Sequence, residues 1–267
     1  MARHTKAPSP RFSPRFRVRN TGLWIVVAVA LLFGLFLLTR MLSRSPAEPG
    51  AKPVLDTAKG NLEVYTRLIG TVTIDESALR PLSPELRRLL ASIDTMIMRR
   101  ELRDAISRME RAAKKFPPQE QAALSAYIGL CHFELANPNR ALIQFEKALA
   151  AAPSTLPDLA AATAFNIGYL FMRYDQPDSA LVYWTRARAI LPSPLAQSTS
   201  VPSLLAPLLN NLGVASEVRG DTVQARTYYL AAARFIDTTA TTDAAYRLRR
   251  NLRRVGAKES QAGQHQP

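Results

Sequence analysis

The chain has 267 residues, of which 47% are hydrophobic and only 7% aromatic, and its formal net charge is +14. Scarce β-branched runs and abundant Ala and Leu favour helices, in a chain long enough for one or two domains. The positive charge does not predict nucleic-acid binding, because half of it lies in residues 1–42, which contain no Asp or Glu.

A basic tail at residues 1–20 precedes an apolar stretch at 21–42. No side chain from Leu23 to Leu38 is charged or strongly polar. A helix over those residues rises about 24 Å, and flanking residues extend it toward the roughly 30 Å of a hydrocarbon core. The sequence therefore predicts a transmembrane helix over 21–42. A cleaved signal peptide is the alternative, but no convincing small-residue cleavage site follows the apolar run.

The bases beside this span are concentrated on its N-terminal side. This bias predicts a cytoplasmic tail and a C-terminal part on the periplasmic or extracytoplasmic side of an inner or plasma membrane. Residues 43–53 contain three prolines and one glycine, which is typical of a linker. Residues 54–82 show helical spacing only between Leu62 and Ile69, so we expect one short helix followed by irregular chain there.

A spaced pattern of small and aromatic residues recurs three times further along the chain. Each copy has a glycine, an alanine twelve residues later, an aromatic four residues beyond it and a second alanine three residues after that. The copies are Gly129, Ala141, Phe145 and Ala148; Gly168, Ala180, Trp184 and Ala187; and Gly213, Ala225, Tyr229 and Ala232. A weaker copy consists of Ile93, Ala105, Met109 and Ala112.

This pattern resembles the tetratricopeptide repeat (TPR), a helix–turn–helix unit of about 34 residues. The resemblance covers roughly residues 86–237. It implies an all-α fold in which the N-terminal transmembrane helix is followed by a short TPR-type α-solenoid of about four repeats, with a capping helix, over residues 83–255. The small residues of each copy let the two helices of a pair approach closely, and the aromatic is expected to fill the gap between successive pairs.

The end of the chain has the pattern of an amphipathic helix. Its apolar stripe consists of Ala244, Leu248, Leu252 and Val255, and the arginines off that stripe are Arg247, Arg250, Arg253 and Arg254. Such a helix can close the end of a solenoid. Its arginines are a candidate basic surface for an acidic partner or anionic lipid headgroups, or simply a solvated face. Residues 256–267 are predicted to be disordered.

No catalytic pattern is present in the sequence. His4, His132 and His265 are far apart, and there is no phosphate-binding glycine loop. Cys131 is the only cysteine, so an internal disulfide is excluded. We therefore expect a protein that is not an enzyme and that uses neither a cofactor nor a metal.

The resemblance also implies a binding surface, because the first helices of successive repeats line a concave groove. The implied groove residues are Ala126, Leu130, Phe133, Phe165, Tyr169, Met172, Asn210, Val214 and Glu217. Their apolar and aromatic character favours an apolar helix or extended peptide of a partner protein as ligand. Alternatively, some of these aromatics only pack within the array. Some family members bind the C-terminal carboxylate of a partner through a clamp of lysine, arginine and asparagine. At the corresponding positions of this sequence, only Asn210 is of a matching residue type.

The favoured hypothesis is a membrane-anchored TPR scaffold that assists a cell-envelope, secretion or assembly complex. A first alternative is an import-receptor-like or chaperone-adaptor protein on an organelle membrane. A second is an enzyme subunit whose chemistry lies in residues 54–82. Polar groups of that segment that converge on the array would support this alternative. A processed secreted protein is a third.

Overall fold

The computed structural model of the chain describes residues 55, 62–70, 74, 76–152, 154–191 and 204–264. The basic tail, the predicted transmembrane helix at 21–42 and the linker at 43–53 lie outside the described residues. All regular structure within the described ranges is helical. None of the helices in these ranges is both long and apolar enough to cross a bilayer.

Two short helices precede nine longer ones in the described part of the chain. The short helices are α1 (Leu62–Tyr65) and α2 (Glu76–Leu79). The longer helices are α3 (Pro84–Met98), α4 (Leu102–Ala113), α5 (Pro118–Glu134), α6 (Pro138–Ala151), α7 (Pro157–Arg173), α8 (Pro177–Ile190), α9 (Leu205–Val218), α10 (Thr222–Ala232) and α11 (Asp243–Gln264). Helices α3 to α10 form four consecutive helix–turn–helix pairs that pack in chain order, and α11 packs on α9 and α10. The predicted all-α helical-repeat fold is confirmed.

The glycines of the repeated pattern lie against the aromatic rings of their own repeats. A Cβ atom on Gly168 would lie 2.5 Å from Nε1 of Trp184, and one on Gly213 would lie 2.5 Å from Cε1 of Tyr229. Gly129 has the same relation to the ring of its pair. These distances are far inside van der Waals contact, and the rings are fully buried. The predicted role of these small residues is confirmed, because any side chain there would push the two helices apart. The aromatic rings, expected between successive pairs, lie within their own pairs instead.

All four pairs share one turn geometry. The second residue after each first helix has a positive φ angle, at Arg100 (62°), Ala136 (54°), Asp175 (58°) and Gly220 (88°). The next amide then bonds to the carbonyl five residues before it, as from Asn137 N to His132 O at 2.9 Å. This bond satisfies a carbonyl that the helix end leaves unpaired. Three of the four turns achieve this without the glycine that such a φ angle favours.

Residues 256–264 differ from the sequence prediction, because they belong to α11 and are not disordered. No proline interrupts this helix, and the Ala, Lys, Glu and Gln of its last part have high helix propensity. A Cβ atom on Gly256 would meet no other atom within 4 Å. Residues 265–267 lie outside the described part.

The buried stripe of α11 also differs from the predicted one. Ala245 and Asn251 are fully buried, whereas Ala244 and Leu252 are only half-buried. The predicted Leu248 and Val255 are fully buried. An asparagine therefore lies on the inner side of the helix, where the sequence pattern had placed only apolar side chains.

Exchanging alanine and glycine at equivalent turns tests the shared geometry. Ala136→Gly is expected to raise the free energy of unfolding by about 1 kcal/mol, because a left-handed alanine carries a steric cost that exceeds the added freedom of an unfolded glycine. Gly220→Ala is expected to lower it by about 1 kcal/mol for the same reason. Guanidinium unfolding of the full chain in detergent, followed by circular dichroism, measures both. Changes of the same sign would contradict a shared geometry.

Candidate functional site

The predicted groove residues come together on one face of the array, which we call the first-helix face. It is formed by α5, α7 and α9, and its residues are Phe133, Phe165, Tyr169, Met172, Asn210, Val214 and Glu217. All are buried except Phe133, which is half-buried. Ala126 is also fully buried and Leu130 half-buried. The prediction of an open groove needs correction, because residues 62–70 of the same chain lie against this face.

Aromatic rings make the first contact between the segment and the face. The ring of Tyr65 meets Tyr169 edge-on at a centroid distance of 6.1 Å, and Phe133 meets Tyr169 in the same way at 6.3 Å. The guanidinium of Arg173 lies 5.3 Å from the Tyr65 ring centroid and 5.4 Å from that of Phe133. Burial is the main cause of the raised pKa of Tyr169, and a hydrogen bond with Tyr65 raises it further. The predicted aromatics of α5 and α7 thus hold a tyrosine of the segment.

Buried asparagines bind the backbone of the segment. The side-chain amide of Asn211 accepts a hydrogen bond from Ile69 N at 2.8 Å and donates one to Ile69 O at 3.0 Å. Asn210 and Asn251 each donate from Nδ2 to Arg67 O at 3.1 Å. All three asparagines are fully buried. A buried backbone without regular structure has to find such partners, because unpaired buried N–H and C=O groups are costly.

Arg247 of α11 closes the end of the short helix α1. Its Nη1 donates to the carbonyl oxygens of Thr66 at 3.0 Å and Leu68 at 3.1 Å, with a longer contact of 3.4 Å to Tyr65 O. The last carbonyls of a helix lack partners within the helix, so a cation placed there satisfies them. Earlier in the chain, Leu55 N donates to Oδ1 of Asn139 at 2.8 Å.

An ion cluster around Glu217 lies beneath the segment. The Glu217 side chain is 1% exposed and accepts hydrogen bonds from Nη2 of Arg67, from Nε of Arg254 at 2.8 Å and from the Tyr229 hydroxyl at 3.1 Å. The Arg67 side chain is only 7% exposed. Burial raises the pKa of Tyr229, against the opposing effect of Arg67. Two guanidinium groups therefore share one carboxylate in a site that water barely reaches.

The candidate basic surface is divided between two environments. Arg247 and Arg254 are half-buried: Arg247 binds residues 62–70 and Arg254 binds Glu217. Arg250 and Arg253 are exposed. The four arginines therefore do not form one surface for an external partner.

Polar groups of residues 62–70 do converge on the array, which was the arrangement expected of hidden catalytic chemistry. The Glu217 carboxylate at this place is enclosed and bonded to two arginines and a tyrosine. Among the described residues, no group of three or more His, Cys, Asp or Glu side chains is arranged to hold a metal ion.

Three residues that contact or belong to the segment were not predicted from the sequence: Arg67, Asn211 and Asn251. The available signal was the occurrence of asparagines beside leucines within helices, in Leu209-Asn210-Asn211-Leu212 of α9 and in Asn251-Leu252 of α11. Asparagine is a poor helix former, so a buried one in mid-helix indicates a specific hydrogen-bond partner.

A second, open cleft of about 700 Å³ lies beside α3, and its lining includes Leu79, Arg87, Arg88, Asp94 and Tyr127. The Tyr127 hydroxyl lies 3.5 Å from Oδ2 of Asp94. Asp94 is exposed overall, but the partial burial of its carboxyl raises its pKa, and the hydrogen bond from Tyr127 opposes that shift.

No family model matches this sequence, and neither does any curated protein. Among solved structures, the chain is similar to that described as the crystal structure of MamA, with a TM-score of 0.44 and 16% sequence identity over 65% of this chain and 97% of that one. The helical-repeat description of the fold follows from the helix pairs themselves.

Removing the Asn211 amide tests the backbone contact. Asn211→Ala leaves the buried N–H and C=O of Ile69 unpaired, and each lost hydrogen bond is worth about 1 kcal/mol, so the population with residues 62–70 detached is expected to rise at least about tenfold. Trypsin cleavage after Arg67, quantified by mass spectrometry and normalised to cleavage after Arg99, which is exposed in a turn far from the segment-binding side chains, measures this population. Thr227→Ala, on the exposed side of α10, is the control. Unchanged cleavage after Arg67 would contradict the contact.

The raised pKa of Asp94 gives a pH-dependent prediction. The folded chain holds the Asp94 proton more tightly than the unfolded chain, so this group favours folding below its ordinary pKa of 3.8 and loses that contribution as the pH rises through the folded pKa. Asp94→Asn, which keeps an acceptor for Tyr127, is therefore expected to unfold at a higher guanidinium concentration than the wild type at pH 7.

The difference in midpoint is expected to shrink as the pH falls toward 3.8. Glu110→Gln, at an exposed carboxylate of α4, is the matched control, with an expected effect within about 0.5 kcal/mol. A difference that grows on acidification would refute the assignment.

Proposed function

We propose that the protein is a membrane-anchored TPR-type scaffold that binds a protein or peptide partner. Residues 21–42 anchor it in the inner or plasma membrane, the tail at 1–20 is cytoplasmic, and the repeat array is periplasmic or extracytoplasmic. There it assists a cell-envelope, secretion or assembly complex. Neither a cofactor nor a nucleic acid is required for this role.

The observation that carries the proposal is the pairing of the Asn211 amide with both backbone groups of Ile69. This pairing recognises a peptide backbone, whatever side chain it carries. Asn210 and Asn251 extend the same recognition to the residue two positions earlier. A helical array with such side chains on its first-helix face is chemically equipped to hold an irregular peptide, as helical-repeat binding proteins do.

Specificity in this proposal comes from the groups around the backbone contacts. The aromatic rings of Phe133 and Tyr169 favour an aromatic side chain, and Glu217 favours a cation. The exposed Arg250 and Arg253 supply a separate contact for an acidic partner or for lipid headgroups.

A photo-crosslinking pair tests the scaffold function. Phe133→benzoylphenylalanine places the probe at the half-buried edge of the first-helix face, and Arg188→benzoylphenylalanine places it on the exposed side of α8. Irradiation of intact membranes followed by mass spectrometry is expected to give one discrete partner from position 133 and none from position 188. Equal, diffuse labelling from both positions, or no product from either, would contradict the proposal.

A further inference from the structure

In the cluster around Glu217, two guanidinium groups, those of Arg67 and Arg254, pair with a single carboxylate. Arg254 donates from Nε to Oε1 at 2.8 Å and from Nη2 to Oε2 at 3.4 Å, which is a two-point pairing supplied by the array itself. Arg67 adds a second guanidinium from the segment. Its buried Nε has no hydrogen-bond partner among the described residues. Glu217 therefore keeps a paired charge if the segment leaves, whereas Arg67 gains full solvation.

The asparagines of the first-helix face are also held by the array. Asn251 donates to Oδ1 of Asn210 at 2.9 Å, and Asn210 donates to Oδ1 of Asn211 at 3.1 Å. Arg254 donates to Oδ1 of Asn251 at 2.8 Å. These bonds connect Asn211 to Glu217 without any atom of residues 62–70. The recognition groups are thus positioned before a peptide arrives, which lowers the entropic cost of binding one.

We infer that residues 62–70 are an exchangeable occupant of this face, and that the partner segment which replaces them carries an arginine flanked by apolar residues. The arginine of the incoming segment takes the place of Arg67 beside Glu217. The backbone carbonyl of the incoming arginine accepts hydrogen bonds from Asn210 and Asn251. The backbone N–H and C=O of the residue two positions later pair with the side-chain amide of Asn211. This inference deepens the proposed function and rests on it for the existence of a partner.

The chain's own segment then regulates binding, because a partner can enter only the fraction of molecules in which the face is open. Apparent affinity falls in proportion to that fraction. A change that loosens residues 62–70 without altering the face should therefore strengthen binding of an external peptide.

A fluorescein-labelled synthetic peptide with the sequence of residues 62–70, LEVYTRLIG, is the probe. It is titrated against the full chain in detergent by fluorescence anisotropy. Arg67→Ala is expected to bind it at least about tenfold more tightly than the wild type, since more of the face is open. A peptide with alanine in place of its arginine, or the double variant Arg67→Ala with Glu217→Gln, is expected to lose binding. Equal binding by wild type and Arg67→Ala, or no binding by either, overturns the inference.

Hydrogen exchange on the wild-type chain gives a second readout that needs no variant to fold. An exchangeable occupant requires the Ile69 amide, bonded to Asn211, to exchange faster than the amides around Gly168 in α7, because the segment opens while the array stays folded. Equal protection at the two places shows that the segment is a permanent part of the fold and overturns the inference.

The two proposals fail separately. A chain that binds the labelled peptide but crosslinks no partner in membranes refutes the scaffold function while leaving the peptide site. A chain that crosslinks a partner from position 133 but never binds the peptide refutes the exchangeable occupant alone.

Discussion

A buried backbone must find a hydrogen-bond partner for each N–H and C=O group, and residues 62–70 meet that requirement largely through side chains of the array. The segment makes a few backbone bonds of its own, from Arg67 N to Val64 O and from Leu68 N to Tyr65 O. Side chains of the array supply further partners: Asn211, Asn210, Asn251 and Arg247. The arrangement of the first-helix face follows from this constraint. The apolar side chains Leu68 and Ile69 add buried area, but the polar contacts determine where the segment lies.

The face exists because the helix pairs are closely packed. In each of the last three pairs, a glycine of the first helix lets the aromatic ring of the second lie where a Cβ atom would otherwise be. Repeating this contact along the array places residues of α5, α7 and α9 on the one face that residues 62–70 cover. Helix α11 then contributes Arg247, Asn251 and Arg254 from the end of the array. Local packing thus creates a site whose recognition groups come from residues far apart in the chain.

The repeat architecture could be predicted from sequence because its signals are local. Gly168 and Trp184 are sixteen residues apart, within a single helix pair, and the recurrence of this spacing predicts the repeat, although not that the ring lies against the glycine of its own pair. The position of residues 62–70 could not be predicted in this way, since Arg67 and Glu217 are separated by 150 residues and no periodicity links them. The groove residues predicted from the sequence lie on one face of the array, but most of them are buried beneath residues 62–70. The end of α11 was missed because its polar composition looked like that of a tail, although no residue in it breaks a helix.

The neighbours of Tyr65 in the full chain show most directly whether residues 62–70 occupy the first-helix face. Tyr65→benzoylphenylalanine, irradiated in intact membranes and mapped by mass spectrometry after proteolysis, reports the nearest neighbours of this side chain. If residues 62–70 occupy the first-helix face, intramolecular crosslinks form to the peptides that contain Phe133, Tyr169 or Arg173. Products confined to other proteins, or the absence of any crosslink within the chain, would contradict the occupation of the first-helix face by residues 62–70.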